Sequence, residues 1–241
     1  NAQKHSNFYY SNFVKNQNNY KLEQGEGLCG VCINKRIIKI KEGFPSTADI
    51  ALLHTIHTLK NHAKDGLKTL QDYCALFNTH LENLDSQLFF EENLTDDYFI
   101  KHEINTNSSL DKIKSQLRKI DEFGKSKKIN LQKYYAVLVF DGDSMGRWLS
   151  GDNEFVKPDI DFKKFHSDLS KCLGEFANVC SKYLDTPKGK AVYAGGDDFL
   201  GFVNLSYLFE VMNYFYNQFE EKENDPLKKY FIQEKKMSFS V

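Results

Sequence analysis

The stretch "GKAVYAGGDDFLGFVN", residues 189–204, sets two apolar runs on either side of two glycines and two aspartates. Apolar runs interrupted by Gly-Gly-Asp-Asp read as a β-hairpin, with strands predicted over 190–194 and 199–203. Gly and Asp are ordinary turn residues, so the motif alone does not choose between a plain hairpin and a binding site. Adjacent carboxylates nonetheless repel one another, and the choice turns on what else meets them.

Upstream, "YYAVLVFDGDSMGRW" begins with a continuous apolar run, read as a buried central strand over 134–140, and ends in a second acidic, glycine-containing loop. A short helix is predicted after Asp143, a long one over 161–185, another over 205–223, and a last strand beginning near Met237. The order β-α-β-β-α-β, with an extra helix, is the ferredoxin-like arrangement. In that fold the first strand lies beside the hairpin, so Asp141, Asp197 and Asp198 converge.

Three carboxylates stay ionised together only with a counter-charge. Oxygen-only ligands suit Mg²⁺ or Mn²⁺, which makes these aspartates candidate catalytic and metal-binding residues for nucleotidyl transfer, with ATP or a related triphosphate as substrate. Gly195 and Gly196 are expected to permit positive φ and close approach of a nucleotide, and Gly142 and Gly146 to do the same across from them. Asp143, Ser144 and Met145 complete the candidate nucleotide-binding loop, with the amides of Ser144, Met145 and Gly146 at a helix start. Asp143 has an alternative reading as a helix cap. Arg147 or Lys190 would add positive charge.

The first half reads differently. Ser46 or Thr47 caps an amphipathic helix over "ADIALLHTIHTLKNHA", a second helix is predicted over "LKTLQDYCALFNTHLENL", and a third over "SLDKIKSQLRKIDEFGK". The fold class is therefore α+β: a helical domain with a zinc-finger-like CxxC segment, residues 1–130, then a ferredoxin-like palm domain of nucleotidyl cyclase type, residues 131–241, truncated at its last strand. Cys29 and Cys32 have zinc-knuckle spacing, but two thiolates are too few for a complete Zn²⁺ site. Cys74, Cys172 and Cys180 sit on apolar helix faces as core residues. His54, His57 and His62 lack a metalloprotease-type glutamate and are assigned to packing or surface roles. The basic runs "NKRIIKIK" and "GKSKK" read as solvated faces, with RNA contact the alternative.

The whole sequence of 241 residues carries 33 acidic and 32 basic side chains, so bulk charge points to neither nucleic acid nor a membrane surface. No run reaches the ~18 apolar residues of a membrane helix, and no secretory leader stands at the start. A cytoplasmic protein is expected. The chain has no initiator Met and stops within the alternating run "KKMSFSV", which reads as a fragment.

With "GEGLCGVCINKR" (25–36), "FPSTADIA" (44–51), "YYAVLVFDGDSMGRWLSG" (134–151) and "AGGDDFLGFV" (194–203) in this order, the chain resembles the large, Cas-ten type subunit of type III-B (Cmr) CRISPR effector complexes. The resemblance implies target-RNA-activated joining of ATP into cyclic oligoadenylate messengers, or AMP coupled to another small molecule, in antiviral defence. It implies other Cmr-type subunits, guide RNA and target RNA as partners. It also implies that Asp141, Asp197 and Asp198 hold the metal, that a second CxxC stands upstream of Cys29, and that the nucleotide pocket lies between two cyclase-like domains. The alternatives are a diguanylate-cyclase-like enzyme, against which the CxxC segment and "DGDSMG" loop argue, and a non-catalytic nucleotide-binding scaffold.

Overall fold

The computed structural model describes residues 44–62, 64–220, 226–232 and 235–241. Cys29, Cys32 and the "NKRIIKIK" run, and with them the zinc-finger-like segment, lie outside the described residues. Residues Pro45–Val241 form one compact unit.

Three helices predicted from periodicity are present in the first part of that unit, with one shortened. Helix α1 (Thr47–His62) opens on a capping box: the Ser46 hydroxyl accepts from the Asp49 amide at 3.1 Å, while the Ser46 amide donates to the Asp49 carboxylate at 2.7 Å. Helix α2 (Lys64–Ala75) stops well short of its predicted end, because the chain turns at Asn78, whose φ is 52°, and continues as a single 3₁₀ turn over Leu81–Asn83. A short helix α3 (Asp96–Lys101), capped by Thr95, was not foreseen, and α4 (Leu110–Ser126) starts on Ser109 as predicted. Leu52, Leu70, Tyr73, Phe89, Leu94, Ile113 and Leu117 interlock in the core of this helical part. Cys74 is buried in the same cluster.

From residue 135 the chain builds one four-stranded antiparallel sheet. Strands β1 (Tyr135–Gly142), β2 (Gly189–Gly195), β3 (Asp198–Asn204) and β4 (Phe239–Ser240) lie in the order β2-β3-β1-β4. Helix α5 (Met145–Ser150) and the long α6 (Phe162–Tyr183) connect β1 to β2, and α7 (Leu208–Glu220) connects β3 to β4. This is the expected split β-α-β order, with β1 and β3 central.

One face of the sheet is packed: Leu138, Phe140, Phe199 and Val203 meet Phe176 and Cys180 of α6 and Val211 and Phe215 of α7. The other face is open among the described residues. Val137 and Val139 keep 54% and 53% of their surface exposed, which corrects the reading of "YYAVLVF" as a strand buried on both sides. A continuous apolar run looks alike whether its second face is covered within the unit or left bare. A further cluster around Trp148, Val156, Phe165 and Phe231 anchors α5.

The two parts of the unit are joined by a buried polar contact. The Asn204 side-chain amide donates to the carbonyls of Ile50 at 3.0 Å and Ala51 at 2.8 Å, while its own carbonyl accepts from the Ser206 amide. His54 bonds the Tyr207 hydroxyl at 3.1 Å, so this histidine packs, as expected.

Candidate active site at the open edge of the palm

Strand register brings the two acidic loops together. Phe140 pairs with Phe199, so the next step along both strands sets Asp141 beside Asp198; on its other side Asp141 pairs with Ser240 of β4. By strand alternation both aspartates belong to the open face with Val139 and Leu200, and both are exposed. Asp197 approaches from the turn: a Cβ placed on Gly142 would stand 2.9 Å from the Asp197 Cβ and 2.8 Å from the Met145 Cγ. Only glycine lets β1 end directly against that aspartate.

The glycines therefore serve different purposes. Gly196 takes the left-handed backbone (φ 66°) that the turn requires, as expected. Gly195 has no positive φ; a Cβ there would lie 2.1 Å from the Tyr193 hydroxyl, the tip of an exposed side chain that would have to move aside. Gly146 has nothing within 4 Å of such a position, so no protein contact demands it.

Asp143 is already engaged. Its amide donates to the Ser238 carbonyl at 2.8 Å, and its carboxylate accepts from the hydroxyls of Ser238 at 2.6 Å and Ser240 at 2.5 Å. Those two hydroxyls hold its pKa below the ordinary carboxylate value. Asp143 is thus no helix cap. Ser144 occupies the N-cap position of α5 with φ 56° and makes no side-chain capping bond. Arg147 is also committed: Nε binds Asp152 at 2.8 Å, Nη2 binds Glu154 at 2.5 Å, and the guanidinium lies 4.2 Å from the Phe155 ring centre. Lys190 is on the open face opposite Phe202, with Asp185 at 3.9 Å.

Tyr193 escaped the sequence reading. The negative charge of Asp198, the largest cause, raises the pKa of its phenol above the ordinary value of 10.0, with burial and Asp197 adding smaller contributions. The available signal was an aromatic residue two positions before a glycine in a strand, where the ring can lie over the bare Cα.

No Lys or Arg pairs with Asp141, Asp197 or Asp198 among the described residues, which leaves exposed carboxylate oxygens, the donor chemistry of Mg²⁺ and Mn²⁺. The side chains do not converge on one point: among the described residues no three His, Cys, Asp or Glu are placed to hold a single ion. Among the same residues no helix is long and apolar enough to cross a membrane.

Residues 134–241 match the family described as the second palm domain of Cas10/Cmr2. Over 218 residues, 77% of this chain, the sequence is 27% identical to "CRISPR system Cmr subunit Cmr2" of Pyrococcus furiosus. The aligned region is 24% of that relative, so the chain spans about a quarter of its length.

Proposed function

Because this chain carries the second palm domain of the Cas10/Cmr2 family and is related to the Cmr2 large subunit, we propose that it joins ATP into cyclic oligoadenylate, or AMP to another small molecule, within a Cmr-type CRISPR effector complex bound to guide and target RNA. The observation that carries this reading is the meeting of β1 with the β2–β3 turn, which sets Asp141 beside Asp198 and Gly142 against Asp197. Asp141, Asp197 and Asp198 supply the carboxylates that would hold Mg²⁺ or Mn²⁺, one or two of them at an ion with substrate phosphates completing its shell. When bound there, the ion supplies charge neutralisation at the phosphates and lowers the pKa of an attacking hydroxyl.

The chain's own contribution is shape and placement. Gly196 leaves the turn backbone bare toward an incoming nucleotide, and the loop at Ser144, Met145 and Gly146 offers amides for phosphate oxygens beside open space at Gly146. Asp143, fixed by Ser238 and Ser240, sets the course of that loop and does not compete for the phosphates. Arg147 already has two anionic partners, Asp152 and Glu154, which leaves Lys190 on the open face as the remaining expected source of positive charge for the triphosphate.

The test incubates the assembled complex with labelled ATP, Mg²⁺ and target RNA and identifies products by mass spectrometry. Oligoadenylates or an AMP conjugate, formed only with target RNA, are the expected result. Recovery of unreacted ATP alone would refute the proposal.

A further inference from the structure

Helix α4 buries Ile113, Leu117, Ile120 and Gly124, and its cations divide between the two flanks of that seam. On one flank they are answered by acids: Arg118 meets Glu91 at 2.6 Å, and Lys125 meets Asp121 at 2.6 Å. On the other flank Lys112 and Lys119, seven residues apart, share a face and stand about 10 Å apart along the axis. Both are exposed, as is Ser115 between them, and neither forms an ion pair among the described residues. Glu122, three residues beyond Lys119, does not pair with it. Lys127 and Lys128, exposed in the turn that ends the helix, extend the positive charge, again with no anionic partner among the described residues.

Helix stability accounts for part of this pattern only. Lys127 and Lys128 complement the negative end of the helix dipole, but Lys112 stands in the first turn, where a cation opposes it, and Lys119 lies too far from either end to feel it. An apolar protein surface does not fit, since no large hydrophobic side chain between residues 110 and 128 is exposed. We propose that this flank binds the phosphate backbone of RNA, with Lys112, Lys119, Lys127 and Lys128 meeting phosphate oxygens as point charges and reading no bases. The phosphate chemistry stands on these residues alone; the choice of RNA rests on the proposed function, in which guide and target RNA share the complex.

The experiment uses the full chain, freed of nucleic acid, with labelled uridine and cytidine oligomers as probes, and measures affinity between about 50 and 200 mM salt. Each phosphate contact on a single strand contributes about 0.7 to the slope of log affinity against log salt. Lys112→Gln with Lys119→Gln, which keeps helix propensity, is expected to make the slope shallower by about 1.4 and to weaken both oligomers alike. Arg118→Gln with Lys125→Gln removes the same charge from the answered flank and is expected to keep the wild-type slope. Should either variant unfold, Lys127→Gln with Lys128→Gln carries the same test and the same expected change. No binding by the wild-type chain at low salt, a wild-type slope in Lys112→Gln with Lys119→Gln, or equal losses from the two flanks would each overturn the proposal. ATP takes no part in this measurement, so its failure is distinguishable from failure of the proposed chemistry.

Discussion

Asn204 shows how much one polar side chain can carry. It is 1% exposed and satisfies two α1 carbonyls and one turn amide at once. Asn204→Ala removes three hydrogen bonds at once where the two parts of the unit meet, and the expected cost is about 1–3 kcal/mol, read as a lower urea midpoint with an unchanged slope. Two buried thiols make stability fall with alkali. Burial pushes Cys74 up to about 11 and Cys180 up to about 12 from an ordinary value of 9.0, so the folded protein keeps protons that the unfolded chain releases. Their contribution is complete below about pH 9 and is lost as pH climbs through those two values. Urea midpoints at pH 8 and pH 10.5 should therefore differ, the latter being lower, and replacing both cysteines by alanine should shrink the difference.

At the scale of elements, β4 depends on the Asp143 clasp. It has two residues, Phe239 and Ser240, and is held by pairing with Asp141 and Gly142, by the serine hydroxyls on Asp143, and by the Phe239 ring, 4.8 Å from that of Phe140. Asp143→Ala should speed amide hydrogen exchange at residue 143 and in β4 while leaving the β1–β3 ladder protected. Equal acceleration across both would show that the clasp supports the whole sheet. Much of this architecture was legible in sequence. The Ser46 cap and the 3.6-residue spacing marked α1, the run beginning at Ser109 marked α4, and the Gly-Gly-Asp-Asp turn marked β2 and β3. The end of α2 was not legible, since apolar spacing runs on past Ala75 and only the left-handed Asn78 stops the helix. The Val192 bulge was equally hidden, because one extra residue leaves the apolar run intact while moving Tyr193 to the other face. The serines that occupy Asp143 lie about a hundred residues downstream, a pairing that no local pattern encodes.

Across the whole molecule, the sheet covers one face with α6 and α7 and offers the other, with Val137, Val139 and Tyr193 exposed beside Asp141 and Asp198. The chain spans about a quarter of its Cmr2 relative, and joining two nucleotides requires a second one aligned with the first. That alignment is worth roughly 7–11 kcal/mol, so the proposed turnover is expected of the assembled complex and not of one palm alone. The proposed function rests on the carboxylates of the turn performing the chemistry. Its most direct test compares target-activated complexes carrying wild-type subunit and Asp197→Asn with Asp198→Asn, measuring product formed from labelled ATP under equal assembly. Product is expected from the first and none above background from the second, because both aspartates lie on an open turn and their loss leaves the core intact. Product formed by the double variant at the wild-type rate would contradict it.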